Sequence, residues 1–221
     1  MTSGTEEIEL ERLLTILCPT RNRPEFVAVW LKHHQFAQVL VLDDSDQELR
    51  QPPSSNVIIF PEALPMHEKL LAARAFVTTP FVAVCADDDF LQVDTLRVLV
   101  SVMQEAGDIS YARGRTLRLF NSLRSPRDLQ SPYPDHEVGV KLTKVEAARA
   151  IFGNYSNGLF DCYQTNFFFD ITDLTLNCVP TSNHQFLQAL FDFAKVALGT
   201  CFLTNDLYQV RNHLHDNWGK R

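Results

Sequence analysis

The sequence predicts an α/β protein with a mainly parallel central sheet flanked by helices. Three observations carry this. Between residues 14 and 119, short apolar runs alternate with segments of helical periodicity, the pattern of βαβ units. The run Phe81-Val82-Ala83-Val84-Cys85 is wholly apolar, as a strand covered on both faces must be. The chain has 221 residues, 45% of them apolar, which suits one substantial folded domain and excludes wholesale disorder.

The first strand is expected at 14–18, closed by Pro19. Asn22 can cap the next helix, with Pro24 in its first turn, where a missing N–H costs nothing. That helix should end near His34, before a second strand at 39–42 that stops at Asp43-Asp44-Ser45-Asp46. A third strand fits 57–60 after a Pro/Ser loop. Residues 66–77 read as a helix with Met66, Leu70, Ala73 and Val77 on one face, ended by Thr78-Thr79-Pro80. The apolar strand at 81–85 then delivers the chain into Asp87-Asp88-Asp89. Residues 93–103 are again helical, with Gly107 as the C-cap.

Alternation over 115–120 predicts an edge or antiparallel strand, and 121–139, rich in Pro, Ser and charge, a long surface loop. Thr143 and Glu146 form a capping-box pattern opening a helix to about Phe152. A polar turn follows at 154–158. Residues 164–170 read as a strand, 182–199 as a helix opened by Ser182-Asn183-His184-Gln185, and 201–210 as the last strand. The whole is expected as a single domain, 1–221, with one half at 12–120 and a smaller, mixed half at 121–221.

Composition excludes several functions. A net charge of −7 and the absence of any dense Lys/Arg cluster speak against a nucleic-acid binder. Five scattered cysteines without a CxxC pair speak against a disulfide framework or a zinc site. No run approaches the ~20 apolar residues that span a bilayer, and the polar, acidic start is not a signal sequence. A cytoplasmic protein, or one peripheral to a membrane, is expected.

Ligands of parallel α/β sheets bind outside the carboxyl ends of the strands. Three predicted strands deliver charged groups to that edge: Thr20-Arg21-Asn22-Arg23, Asp43-Asp44, and Asp87-Asp88-Asp89. Adjacent carboxylates raise one another's pKa unless a cation neutralises them, and carboxylate oxygens shared with phosphate suit Mg²⁺ or Mn²⁺. Arg21 and Arg23 stand where a diphosphate needs guanidinium partners, and Lys69 lies on the helix before the acidic strand.

These segments resemble the GT-A glycosyltransferases, specifically the large inverting, nucleotide-sugar-dependent group that includes cellulose- and O-antigen-type enzymes. Leu14-Thr15-Ile16-Leu17-Cys18-Pro19-Thr20-Arg21-Asn22-Arg23-Pro24 is similar to that group's opening strand and turn. Val41-Leu42-Asp43-Asp44-Ser45 is similar to its nucleoside-binding strand end, and residues 81–91 to the strand leading into its DxD motif. The resemblance covers 14–100. It implies a Rossmann-like GT-A fold with 12–120 as the nucleotide-sugar-binding half and 121–221 as the acceptor half, a nucleoside-diphosphate sugar as donor, a glycan or lipid-linked acceptor, and a role in polysaccharide biosynthesis. Asp43 or Asp44 would then bind the nucleoside, Asp87 the ribose, with Thr20, Arg21, Arg23, Lys69 and Asp88 completing the donor site. Asp89, with Asp87, would hold a Mn²⁺ or Mg²⁺ ion, and a histidine after the last strand, His215 or His213, would join it.

The family keeps its catalytic carboxylate at the start of a helix in the second half. Here that helix opens Ser182-Asn183-His184-Gln185, with no carboxylate before Asp192. His184 takes the position, with Asp173 and Asp161 as rivals for the general base. The missing carboxylate makes a catalytically inactive nucleotide-sugar-binding domain the alternative. A nucleotidyltransferase would need a Gly-rich loop after the first strand, and a dinucleotide enzyme a GxGxxG; neither is present.

Overall fold

The computed structural model describes residues 9–52, 54, 56–119, 129–130, 139–153, 158–178 and 184–212. In chain order the elements are α1 (Leu10–Leu13), β1 (Leu14–Thr20), α2 (Pro24–His33), β2 (Gln38–Asp43), β3 (Val57–Ile59), α3 (Met66–Ala72), β4 (Phe81–Val84), β5 (Phe90–Leu91) and α4 (Val93–Ala106). They continue with β6 (Tyr111–Leu119), β7 (Leu129–Gln130), β8 (Val140–Leu142), α5 (Lys144–Gly153), β9 (Cys162–Gln164), α6 (Thr165–Cys178), α7 (His184–Leu198) and β10 (Cys201–Asn212).

All described strands join one sheet, in the order β3-β2-β1-β4-β9-β6-β10-β5, with β7 paired to β6 and β8 to β10 off this path. β3, β2, β1 and β4 are mutually parallel, β9 runs against both β4 and β6, and β10 is parallel to β6. The carboxyl ends of β1, β2, β4, β6 and β10 therefore reach the same edge. Strand order reverses between β1 and β4, because the chain goes outward to β3 before returning across β1. That crevice is the topological switch point where such sheets bind ligands.

Side chains alternate between the two faces, as the period of 2 requires. Leu17, Leu42, Val82 and Val84 pack with Phe168, Phe169 and Phe191 of α6 and α7, whereas Ile16, Cys18, Val41 and Ala83 pack with Trp30 of α2 and Leu99 and Met103 of α4. β4 is thus covered on both sides, which accounts for its unbroken apolar sequence.

Several expectations stand. Gly107 ends α4 in the left-handed region at φ 69°, its N–H donating to Met103 O. Thr143 and Glu146 close their capping box reciprocally: Thr143 N–H donates to Glu146 Oε2 (2.8 Å) and Glu146 N–H to Thr143 Oγ1 (3.3 Å). Others are corrected. Residues 164–170 are not a strand but the end of β9 and the first turns of α6. The Phe167-Phe168-Phe169 run suggests extension, but burial of Phe168, Ile171, Thr172 and Thr175 follows helical spacing. The two threonines satisfy their hydroxyls on Phe168 O and Ile171 O, both at 2.7 Å.

The strand expected at 115–120 begins at Tyr111 and is internal, between β9 and β10, not an edge; its antiparallel alternative holds against β7 and β9. The helix expected over 66–77 narrows to a 3₁₀ turn at Ala73–Ala75. Asn22 is not the cap of α2; it adopts φ 57°, and its side chain pairs with Asp46 instead. The loop expected at 121–139 lies outside the described residues apart from Leu129–Gln130, which pairs with β6, and Gly139. The turn at 154–158 lies outside them except for buried Gly158.

β10 carries register shifts between Leu203 and Gln209, and Gly114 of β6 lies against that irregular stretch. A Cβ there would fall 2.5 Å from Asp206 O and 2.7 Å from Tyr208 Cβ. Gly114→Ala is therefore expected to cost ~1–3 kcal/mol by overpacking against backbone, read as a lowered Tm; an unchanged Tm would show that β10 yields freely there.

Candidate functional site

The site is assembled at the β1/β4 crevice. Thr20, the last residue of β1, donates its hydroxyl to Asp87 Oδ2 at 2.6 Å. Arg23 forks across two carboxylates, Nη1 to Asp87 Oδ1 at 2.6 Å and Nη2 to Asp88 Oδ2 at 2.8 Å. Its guanidinium also lies 4.2 Å above the Phe26 ring. Burial alone would lower the Arg23 pKa, but the hydrogen bond to Asp88 and the charges of Asp87 and Asp88 raise it on balance. Arg21 is exposed on the rim nearby.

From β2, Asp43 and Asp44 turn inward and are buried. Asp43 accepts Ser45 N–H (2.9 Å) and Gln51 N–H (2.7 Å), folding the following loop back on itself. Asp44 accepts Lys69 Nζ at 2.8 Å and Leu64 N–H at 3.0 Å. Lys69, itself buried, donates also to Thr20 O at 3.2 Å, so α3, β1 and β2 are tied at one point. Desolvation lowers the Lys69 pKa against the opposing pull of Asp44.

The acidic turn after β4 is clipped from behind. His34 Nε2 accepts Leu91 N–H at 3.2 Å, which assigns the proton to Nδ1, donated to Trp30 O at 2.9 Å. Cys85 Sγ reaches Asp89 O at 3.3 Å. From the front, two residues of β10 meet the same turn: Gln209 Nε2 donates to Asp89 Oδ2 at 3.1 Å, and Arg211 Nε stands 3.2 Å from that oxygen. Neither was singled out from the sequence, since only the parallel direction of β10 brings its end to this edge.

Burial pushes the Asp87 carboxyl up to about 6, outweighing Thr20 and Arg23, and pushes the His34 imidazole down to about 4. The two act oppositely on stability. As pH falls from 6.5 to 4, the unfolded chain protonates its histidine and the native chain does not, so stability is lost. As pH falls from 6 to 3.8, native Asp87 binds its proton first, so stability is gained. Each contribution is about 3 kcal/mol. In EDTA, Asp87→Asn should therefore lose about 2 kcal/mol relative to wild type between pH 7 and pH 4. Denaturation midpoints showing a constant difference would refute the raised carboxyl.

Under the second half lies a further buried ionic group. Asp161, just before β9, pairs with Lys195 at 2.8 Å and stands 3.4 Å from Arg113 Nε. Lys195 lies 3.5 Å from Asp192, which accepts Gly158 N–H at 3.1 Å and Gln188 Nε2 at 3.2 Å. Asp161 thus lies enclosed among cations. Asp173 is exposed on α6. His184 is the first residue of α7, eight residues or ~12 Å of helix from Asp192. His213 and His215 lie outside the described residues.

Asp87, Asp88 and Asp89 supply hard oxygen donors, the chemistry suited to Mg²⁺ or Mn²⁺. Among the described residues no three His, Cys, Asp or Glu side chains make a metal cage.

The architecture, a curled mixed sheet flanked by helices with its crevice at the β1/β4 switch, is the GT-A glycosyltransferase fold. In particular it is similar to S. aureus TarS. TarS 1-349 aligns at TM-score 0.65 and 15% identity over 90% of this chain. Its complex with UDP aligns at 0.65 and 18% over 90%, and its complex with UDP-GlcNAc at 0.65 and 16% over 93%. The chain spans 60% of the length of those structures. No family model and no curated protein matches the sequence. No helix among the described residues is long and apolar enough to cross a membrane.

Proposed function

We propose that the protein is a metal-assisted glycosyltransferase that moves a sugar from a nucleoside-diphosphate donor to a hydroxyl of a glycan or lipid-linked acceptor, with inversion at the anomeric carbon. The observation that carries this is the convergence of Thr20, Arg23, Asp43, Asp44, Lys69 and Asp87–Asp89 on one crevice of a GT-A fold. Asp43 and Asp44 wall the nucleoside side, Asp87 meets the ribose, and Arg21 and Arg23 face the diphosphate. Asp89, with Asp87 and His215, would hold the Mn²⁺ or Mg²⁺. When bound, that cation would offset negative charge on the departing diphosphate.

In the transfer, the acceptor oxygen attacks the anomeric carbon as the bond to the diphosphate oxygen breaks, and the nucleoside diphosphate leaves with the electron pair. The acceptor proton goes to a general base. His184 is proposed for that role, because it opens the helix where the family keeps its acid, and imidazole titrates near neutrality. Asp173 and Asp161 are its rivals. His184→Ala at saturating donor should lose ~10²–10⁴-fold in rate; transfer within a few-fold of wild type would remove it from the mechanism.

The decisive experiment is a binding and turnover screen of nucleotide-sugars, UDP-linked donors first, with Mn²⁺ and with EDTA. Sugar release or transfer with one donor class is expected. Absence of binding by every nucleotide-sugar in either condition would overturn the proposal.

A further inference from the structure

Arg23 and Arg211 approach the acidic turn in different ways. Arg23 is fixed by two short hydrogen bonds, each to a separate carboxylate. Arg211 meets Asp89 only as an ion pair. Its Nε is buried 3.2 Å from Asp89 Oδ2, yet no hydrogen bond forms there. The guanidinium rests instead on the Phe160 ring, 4.5 Å from its centroid, and the side chain is 21% exposed. It is therefore a cation held beside Asp89 by charge and stacking, with part of its side chain open to solvent.

We infer that Arg211 is a latch on the cation site, holding Asp89 in the resting protein and surrendering it when a diphosphate arrives. The inference rests on the donor reading above. A guanidinium binds phosphate oxygens in bidentate fashion more readily than it keeps a poorly aligned carboxylate contact. A diphosphate entering beside Arg23 draws Arg211 off Asp89, and a divalent cation then no longer meets a like charge at that carboxylate, whose Oδ2 still accepts from Gln209. Without nucleotide, a metal must displace a positive charge at about ion-pair distance, so it binds weakly. Metal and nucleotide then enter together, each raising the affinity of the other by the same factor.

Phe160 gives the latch its resting place. It directly precedes Asp161, which Lys195 anchors at 2.8 Å, so the perch is fixed by the buried ionic group and not by the donor site.

The test measures Mn²⁺ binding by electron paramagnetic resonance, with and without UDP, on wild type, Arg211→Met and Arg211→Lys. Without UDP, Arg211→Met should bind Mn²⁺ ~10-fold or more tighter than wild type, since a like charge beside the site is gone. Arg211→Lys should stay close to wild type. UDP should raise Mn²⁺ affinity strongly in wild type and distinctly less in Arg211→Met. Equal Mn²⁺ affinity in wild type and Arg211→Met without UDP, with circular dichroism unchanged, would overturn the latch; Arg211→Gln serves the same comparison should the methionine variant misfold. A wild type that binds no UDP, with or without Mn²⁺, would overturn the donor reading, and the UDP-free comparison would still decide whether Arg211 blocks the cation.

Discussion

Asparagine in place of Asp89 is expected to lower nucleoside-diphosphate affinity in Mn²⁺ by ~10²-fold while leaving affinity in EDTA within a few-fold. The side chain is buried, and Gln209 and Arg211 both approach one of its oxygens. An amide preserves volume and can still accept from Gln209. What it removes is the charge on which a shared cation would depend, and cation bridging of a diphosphate is worth several kcal/mol. Asp87→Asn should behave differently. Its oxygens are engaged by Thr20 and Arg23, so the loss should fall mainly on donor binding, with more of the metal dependence retained than in Asp89→Asn. Calorimetry decides between the two patterns. Wild-type affinity that is the same in Mn²⁺ and EDTA would refute metal-dependent binding through Asp89.

The half of the fold that carries this site was legible because buried parallel strands leave unmistakable apolar runs, as at Phe81–Val84, and because charged residues directly after them must lie on one edge. The second half was less legible for a physical reason: its elements are specified by tertiary packing. The Phe167-Phe168-Phe169 segment has the composition of a strand, and only its partners on α3 and α7 make it a helix. Likewise Gln209 and Arg211 look like ordinary residues of a terminal strand. Their place beside Asp89 follows from β10 running parallel to β6, a direction that no local pattern encodes. Asp192 and Lys195 lie one turn apart on α7, but Asp161 is distant in sequence, and only the fold brings it to them as one buried group.

That group sets the second large expectation. Lys195→Met should destabilise the protein by ~3–5 kcal/mol, the usual cost of removing one partner from a buried ion pair. Lys195 is fully buried, and its ammonium lies 2.8 Å from Asp161 and 3.5 Å from Asp192. Methionine fills similar volume, so the loss is electrostatic and not a cavity. Burial already raises the Asp192 carboxyl even with Lys195 in place. Without the ammonium, Asp192 loses the charge that most opposes its desolvation, and protonation is its main relief. The sign follows from that. A native carboxyl pKa above the unfolded value makes stability rise as pH falls through it, so the deficit of the variant should shrink from pH 7 toward pH 5. With a urea dependence of ~2–3 kcal/mol per molar, the midpoint at pH 7 should fall by ~1–2 M. Loss of this anchor should also loosen Phe160, so Arg211→Met and Lys195→Met should shift UDP-free Mn²⁺ binding in the same direction. A urea midpoint for Lys195→Met equal to wild type across this pH range would show that the buried charges contribute nothing net.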